Sequence, residues 1–167
     1  MNNIKTRNIA YGALFIAIVT GFTFINIPIF PQGGLLHLGY IALFPIAVVF
    51  GKRYGLIAGA FGMALFDVLS QWFAWAPATF IIVGIVGYVV GFIADGGSSY
   101  LRIVVALIVG SIISVSGYFV FNAFIMGFGV PSALTSAGGD SLKLVVSVIV
   151  SIPVIPALLE VKQRFVK

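Results

Sequence analysis

The sequence has no cysteine and few charged residues. Of its 167 residues 8% are charged, with nine Lys or Arg, four Asp or Glu and one His. The missing cysteine excludes disulfides, thiolate nucleophiles and Cys-ligated metals. A single His leaves no second ligand at metal spacing, so we expect no metal site. Since Walker A, G-x-S-x-G and H-E-x-x-H sequences are also missing, we expect neither an enzyme nor a cofactor or ATP site within this chain.

In place of charge the sequence carries hydrophobic residues, which make up 61% of it. A soluble domain of this size could not bury so much apolar surface, because its ratio of surface to volume is too high. The composition therefore predicts an integral membrane protein, with residues 1–167 as one transmembrane domain. The net charge of +5 is dispersed in ones and twos. Because no basic stripe with interleaved aromatics occurs, a nucleic-acid partner is not expected.

Six apolar runs are long enough, or nearly so, to cross a bilayer, which takes about 20 residues. We expect an all-α, polytopic bundle of about six transmembrane helices at residues 8–26, 37–51, 54–71, 78–94, 101–124 and 141–160. Proline, glycine or charged residues mark each break. In particular, Pro131 and the run Thr135–Asp140 are predicted to separate the last two helices.

The basic residues predict the orientation of this bundle. If the N-terminus is cytoplasmic, only Lys143 faces outward, and inner positions hold Lys5, Arg7, Lys52, Arg53, Arg102, Lys162, Arg164 and Lys167. This asymmetry follows the positive-inside rule. We therefore expect both termini in the cytoplasm, and the first helix to be retained rather than cleaved as a signal peptide.

Polar side chains inside the predicted helices gather in the outer half. Asp67 follows Arg53 by 14 residues, or about 20 Å along a helix. A carboxylate at such a place is a functional-site hypothesis, with a structural ion pair or a helix cap as the alternative. The other candidate substrate-binding residues on this side are Asn26, His37, Gln71, Trp72, Trp75, Thr79, Tyr118 and Asn122. Such one-sidedness predicts a pocket that opens to the outside.

Several of these candidates have a second interpretation. Trp72 and Trp75 could stack on a ligand ring or belong to the aromatic belt at the membrane interface. Asn122 could contact a ligand or join two helices by a hydrogen bond. Lys143 could do no more than pair with Asp140, three residues away on the same helix face.

Small residues recur at the spacing used for close helix packing. One stripe holds Ala13, Ala17 and Gly21 in the first helix. Others hold glycines, at 51, 55 and 59 around the third helix and at 87 and 91 in the fourth. Such stripes let helix backbones approach one another closely. The simplest expectation for the glycine stripes is packing inside the bundle.

Ordered local patterns along nearly the whole chain resemble the substrate-binding S components of energy-coupling factor (ECF) vitamin transporters. The patterns are Ala13-x-x-x-Ala17, His-Leu-Gly at 37–39, Lys-Arg-Tyr-Gly at 52–55 before a Gly/Ala-rich helix that ends in Asp67, and Trp-Ala-Pro-Ala-Thr-Phe-Ile-Ile at 75–82. Many relatives carry an acidic residue after His-Leu-Gly, where this chain has Tyr40.

The surroundings Asp-Val-Leu-Ser-x-Trp and Trp-Ala-Pro-x-Thr-Phe are most similar to the hydroxymethylpyrimidine and pyridoxine group, although riboflavin, thiamine, pantothenate and queuosine-precursor carriers share the scaffold.

The resemblance implies a multi-pass protein of a bacterial cell membrane that binds one vitamin or precursor from outside. It also implies docking on a transmembrane T subunit with two ABC-type ATPases, which consume the ATP. By the same resemblance, Ala13 and Ala17 contact the T subunit, with Gly21 as an extension. The loop Ile27–Leu36 would be the gate over the pocket, stiffened by proline and hinged at Gly33-Gly34.

Two other functions are compatible with a small membrane bundle. A self-sufficient channel or secondary carrier would place polar groups through both halves of the membrane. A structural subunit without a ligand would pair Asp67, Asn122 and His37 with one another and leave no pocket.

Overall fold

The computed structural model describes residues 3–30 and 34–165, which form six α-helices and one short hairpin. The elements are α1 (Asn3–Phe24), β1 (Asn26–Phe30), β2 (Gly34–His37), α2 (Gly39–Phe50), α3 (Lys52–Leu69), α4 (Ala76–Ala94), α5 (Tyr100–Val120) and α6 (Gly129–Phe165). A π turn, Phe121–Ile125, continues α5, and a 3-10 turn, Phe73–Trp75, precedes α4. The predicted all-α bundle of six helices is confirmed.

Within the described residues, four helical segments are long and apolar enough to cross a membrane: Thr6–Phe24, Phe73–Gly97, Tyr100–Ile125 and Gly129–Arg164. Helix α2 has 12 residues and is about 18 Å long, well short of a bilayer core of about 30 Å. The number of crossings and the side of the termini stay predictions. Lys167, one of the basic residues from which the topology is predicted, lies outside the described residues.

The last helix begins earlier than predicted. The predicted loop at Pro131 and Thr135–Asp140 is helical, and α6 begins at Gly129. Pro131 is the third residue of α6, where a backbone N–H has no partner within the helix, so proline costs little there. Asp140 consequently lies 11 residues, about 16 Å, into α6 rather than at its first turn.

Helix α2 forms the centre of the bundle. Ten of its 12 residues are buried, and it packs against α1, α3, α4 and α6. A helix that is apolar on every side is stable only when other helices surround it, which explains why α2 shows no amphipathic pattern. Its N-terminus lies beside the hairpin, so α2 connects the packed core to the end of the molecule that carries most of the candidate residues.

The glycine stripes lie where α3 meets α4. A Cβ atom added at Gly55 or Gly87 would collide with the backbone of the opposite helix, and one at Gly91 with Lys52. Close backbone approach of this kind is how helices associate in lipid, where burial of apolar surface provides little drive. The α3–α4 pair therefore provides a rigid frame for the residues at its ends.

The predicted gate loop contains the hairpin. Asn26 pairs with His37 and Ile27 with Leu36 in antiparallel register. The Pro31 and Gly33 part of the predicted gate lies outside the described residues. The hairpin brings Leu35 and His37 over the ends of the helices. His37, predicted to begin the second helix, instead ends β2, and α2 begins at Gly39.

Candidate functional site

A cavity of about 40 Å³ lies at the end of the bundle where α3 ends and α4 begins, called here the pocket end. Six of the nine predicted binding residues line it: His37, Asp67, Trp72, Trp75, Thr79 and Tyr118. The other lining residues are Thr23, Leu35, Met63, Phe66, Asp140 and Lys143. Side chains from five helices and the hairpin therefore converge on one small space.

Asp67 lies in the last turn of α3 and is 7% exposed. Thr79 of α4 hydrogen-bonds its carboxylate, and the Tyr118 hydroxyl of α5 donates to Thr79 Oγ1 over 2.9 Å. The second carboxylate oxygen, Oδ2, is buried and has no hydrogen-bond partner among the described residues. Because buried polar atoms are nearly always hydrogen-bonded, this oxygen is a free acceptor at the cavity.

Asp140 and Lys143 form a buried ion pair on α6. Lys143 Nζ donates to Asp140 Oδ1 over 2.7 Å, and the two side chains are 4% and 5% exposed. The ammonium also lies 5.7 Å from the Tyr40 ring centroid and 5.8 Å from that of Tyr118. Aromatic faces at these distances attract a cation. The ion pair considered from sequence exists, and both of its side chains line the cavity.

His37 and Tyr40 connect the hairpin to α2. The Gly39 amide donates to His37 Nδ1 over 3.1 Å, and the His37 ring stacks on Tyr40 at 5.7 Å. Burial, and then the Lys143 ammonium, hold the pKa of His37 well below its usual value. The ring is therefore neutral at pH 7, and with Nδ1 accepting, Nε2 carries the hydrogen and is a donor.

Tyr40 of α2 is fully buried. Its hydroxyl lies 2.6 Å from Ser114 Oγ of α5. Since the ring also faces Lys143, Tyr40 supports the ammonium on one side while it joins α2 to α5 on the other.

Trp72 and Trp75 form an aromatic wall. Their rings meet edge to face, with centroids 5.2 Å apart and an interplanar angle of 71°. The Trp75 indole N–H donates to Asn122 Oδ1 over 2.9 Å. The two indoles are only partly buried, so their faces remain available to a flat solute.

Three predicted binding residues lie outside the cavity lining. The Asn26 amide donates to the carbonyls of Thr23 and Phe24 and so terminates α1. Gln71 is exposed. Asn122 is 1% exposed and lies behind Trp75, where it contacts the indole.

Sequence reasoning did not include Thr23, Tyr40, Asp140 or Lys143 among the binding residues. The three-residue spacing of Asp140 and Lys143 was visible, but their depth depended on where α6 begins. For Thr23 and Tyr40, which are flanked by apolar residues, the sequence offered no signal beyond a polar atom in an apolar run.

The predicted docking stripe lies on the outside of the bundle. Ala13, Ala17 and Gly21 are exposed, and a Cβ at Gly21 would meet no atom within 4 Å. Beside Ala13 lies an open groove of about 700 Å³ between α1 and α3, lined in part by Asn8, Gly12, Arg53 and Tyr54. Unlike the glycines of α3 and α4, these small residues have no helix packed on them in the part of the chain that the structure describes.

The cavity combines two carboxylates, one ammonium, a neutral imidazole and two indoles. These groups can accept a hydrogen bond at Asp67, donate one from His37 and cover the face of a flat ring. Within residues 3–30 and 34–165 no group of three His, Cys, Asp or Glu side chains could hold a metal ion. The arrangement is suited to recognition of a small solute.

A buried polar cavity at one end of an apolar helical bundle defines the class, a membrane protein that binds a small molecule. The chain belongs to the family described as ECF-type riboflavin transporter, S component, which matches residues 3–160. It is therefore a substrate-binding membrane subunit of an ECF transporter and not an enzyme. An uncharacterized protein from Pyrococcus woesei, described as lying in a gap 3' region, is 34% identical over 126 residues, which cover 75% of this chain and 83% of that protein.

Proposed function

We propose that this S component captures a single-ring vitamin or precursor from outside the cell, with hydroxymethylpyrimidine or pyridoxine favoured. The observation that carries the proposal is the unpartnered Asp67 Oδ2, which is buried at the cavity. An amino group or a protonated ring nitrogen would supply the missing donor, and a charge-assisted bond of this kind is stronger than a neutral one.

The remaining lining groups support the same chemistry. Trp72 or Trp75 would cover the face of the ring, while His37 Nε2 would donate to a ring nitrogen or a hydroxyl. Lys143 is held by Asp140 and by two tyrosine rings, so its charge is largely compensated before a ligand binds. Among the described residues, Asp67 Oδ2 is left without a partner, which favours a ligand with a basic or hydrogen-bond-donating nitrogen.

Riboflavin is the second candidate, because the family's description names it. The cavity of about 40 Å³ is far below the roughly 300–1,000 Å³ of typical ligand sites, so its lining has to open for either compound. A three-ring flavin with its polyol chain needs more added volume than a single ring does.

We propose that delivery depends on partners. This chain would dock on a T subunit that carries two ATPases, through the exposed stripe of Ala13, Ala17 and Gly21 and the groove beside it. Exposed small residues let another helix approach closely. In the proposed topology the chain lies in the cell membrane with both termini inside, and ATP is consumed by the partners alone.

The alternative functions fit the geometry less well. A structural subunit would pair Asp67, Asn122 and His37 with one another, yet their partners are Thr79, Trp75 and Gly39 respectively. A self-sufficient channel would continue the polar lining across the bilayer, whereas the buried Asp, Lys and His side chains of the described residues all line the cavity at the pocket end.

Binding calorimetry on the purified chain in detergent tests the proposal. Hydroxymethylpyrimidine, pyridoxine, riboflavin and thiamine are titrated separately into wild-type protein and into an Asp67→Asn variant. We expect tight binding of one single-ring compound and a clear loss of affinity in the variant. Tight binding of riboflavin with no binding of either small ring would overturn the proposed cargo and retain the S-component assignment.

A further inference from the structure

Within the aromatic wall of Trp72 and Trp75, the Trp75 indole is held by a residue that does not line the cavity. Trp75 is partly buried, and its indole nitrogen can only donate a hydrogen bond. The acceptor is Asn122 Oδ1, 2.9 Å away and 47 residues along the chain. Since the indole is a donor only, the amide oxygen of Asn122 faces Trp75 and its NH₂ group faces away.

The backbone of Asn122 holds a second neighbour of Trp75. In a regular α-helix the Met126 amide would donate to the Asn122 carbonyl. In the π turn it donates instead to the Phe121 carbonyl over 2.9 Å, and the Asn122 carbonyl accepts from the Phe128 amide over 3.1 Å. The Phe128 ring in turn lies 6.1 Å from that of Trp75.

Asn122 therefore restrains Trp75 in two ways, through its side chain and through the chain segment that carries Phe128. A π turn is often found at a functional site, and here the wider turn is what frees the Asn122 carbonyl. A stacking wall is effective only when its plane is held to within about 0.5 Å and 10–20° of the productive geometry. Without a buried acceptor, the indole would rotate to find another partner.

We propose that Asn122 is a positioning residue, which sets the plane of the Trp75 indole for stacking on the bound ring without contacting the ligand itself. This inference rests on the proposed function for its effect on affinity, but the restraint on the indole exists without a ligand. The two parts can therefore be tested separately.

The ligand-free part uses nuclear magnetic resonance of ¹⁵N-tryptophan protein in detergent. A Trp72→Phe background leaves Trp75 as the only indole, because the chain has two Trp. Asn122→Ala should shift the indole proton upfield and speed its exchange with water. Asn122→Asp, which keeps a side-chain acceptor, should restore much of the wild-type signal. An indole resonance and exchange rate unchanged in Asn122→Ala would overturn the proposal, whatever the cargo is.

The ligand part is a double-mutant cycle with hydroxymethylpyrimidine as the probe, and with pyridoxine if that is the ring that binds. Asn122→Ala should weaken binding about three- to tenfold, as expected for one hydrogen bond. In a Trp75→Phe background, which has a ring but no N–H, the same change should have less than about a twofold effect. An equal loss in both backgrounds would overturn the proposal, because Asn122 would then act on the ligand directly.

Thr135→Ala is the control. Thr135 is exposed on α6, and its hydroxyl donates a hydrogen bond to the Pro131 carbonyl of the same helix over 3.2 Å. This variant should leave the indole signal and the affinity unchanged. If no ring binds to the wild-type protein, the proposed cargo fails, while the nuclear magnetic resonance arm still decides the role of Asn122.

Discussion

The two ends of the bundle use the same kind of ion pair in opposite surroundings. At the pocket end, Asp140 and Lys143 are 5% and 4% exposed. At the opposite end, Arg102 and Asp95 pair over 2.6 Å with 54% and 67% of their side chains exposed. The exposed pair is solvated whether or not it forms, so it adds little stability. The buried pair has lost its water, so each charge depends on the other.

This difference separates a binding end from a boundary end. The pocket end buries polar groups at a cost that only a solute or a partner side chain can offset. The opposite end keeps its charged pair exposed, as expected of residues at the boundary of a membrane. The groove beside Ala13 extends from Asn8 to Arg53, nearer that boundary end. Changes at the two ends should therefore affect different measurements.

The largest expected effect is on transport. In a double variant Ala13→Leu and Ala17→Leu, bulky side chains would cover the exposed stripe and prevent close approach of a partner helix. Uptake in cells that contain the T subunit and ATPases should be abolished, while affinity for the ligand in detergent stays at the wild-type value. Ala157→Leu on the exposed side of α6 is the control and should transport normally. Normal uptake by the double variant would remove the docking role.

The next effect in size is on stability at the pocket end. Asp140→Ala leaves the Lys143 ammonium buried without its partner, and we expect a loss of about 3–5 kcal/mol in the free energy of unfolding. Asp140→Leu combined with Lys143→Met should regain most of this stability, because it removes both buried charges. Chemical denaturation in detergent measures each value. A small loss for Asp140→Ala would show that water reaches the ammonium.

Ligand affinity should change less than stability does. Asp67→Ala removes the free acceptor, and the dissociation constant should rise about 10- to 100-fold, as for a hydrogen bond to a charged group. The protein should still fold and dock. Ser141→Ala, an exposed residue whose hydroxyl bonds to a carbonyl of its own helix, should bind as the wild type does. Unaltered affinity in Asp67→Ala would contradict the proposed ligand contact.

The smallest effect is expected at the opposite end. Asp95→Asn breaks the exposed pair with Arg102 and should change the free energy of unfolding by about 0–1 kcal/mol. Whatever change occurs should shrink as salt is added, because exposed charges are screened. The Asp140 variants should keep their effect at the same salt concentration. If the effects of the Asp95 and Asp140 substitutions on the free energy of unfolding depended equally on salt, the two ion pairs would not differ in their exposure to solvent.

Much of the site could be predicted from the sequence, and the failures share one cause. Asp67, His37 and the two tryptophans were found because a polar or aromatic residue in an apolar run is conspicuous, and each lines the cavity. Asn26 is equally conspicuous but bonds to the carbonyls that end α1. Nothing in a local pattern distinguishes a side chain that faces a cavity from one that caps its own helix.

The sequence by itself determined that the protein lies in lipid and is built from helices. A chain with 61% hydrophobic and 8% charged residues needs a lipid environment, where its backbone hydrogen bonds have to be made within helices. It also determined that polar groups gather toward one end. Only the tertiary structure decided where α6 begins, and with it the burial of Asp140 and Lys143. It also decided that Asn122 meets Trp75 across 47 residues. Such contacts depend on how whole helices pack, which local patterns do not specify.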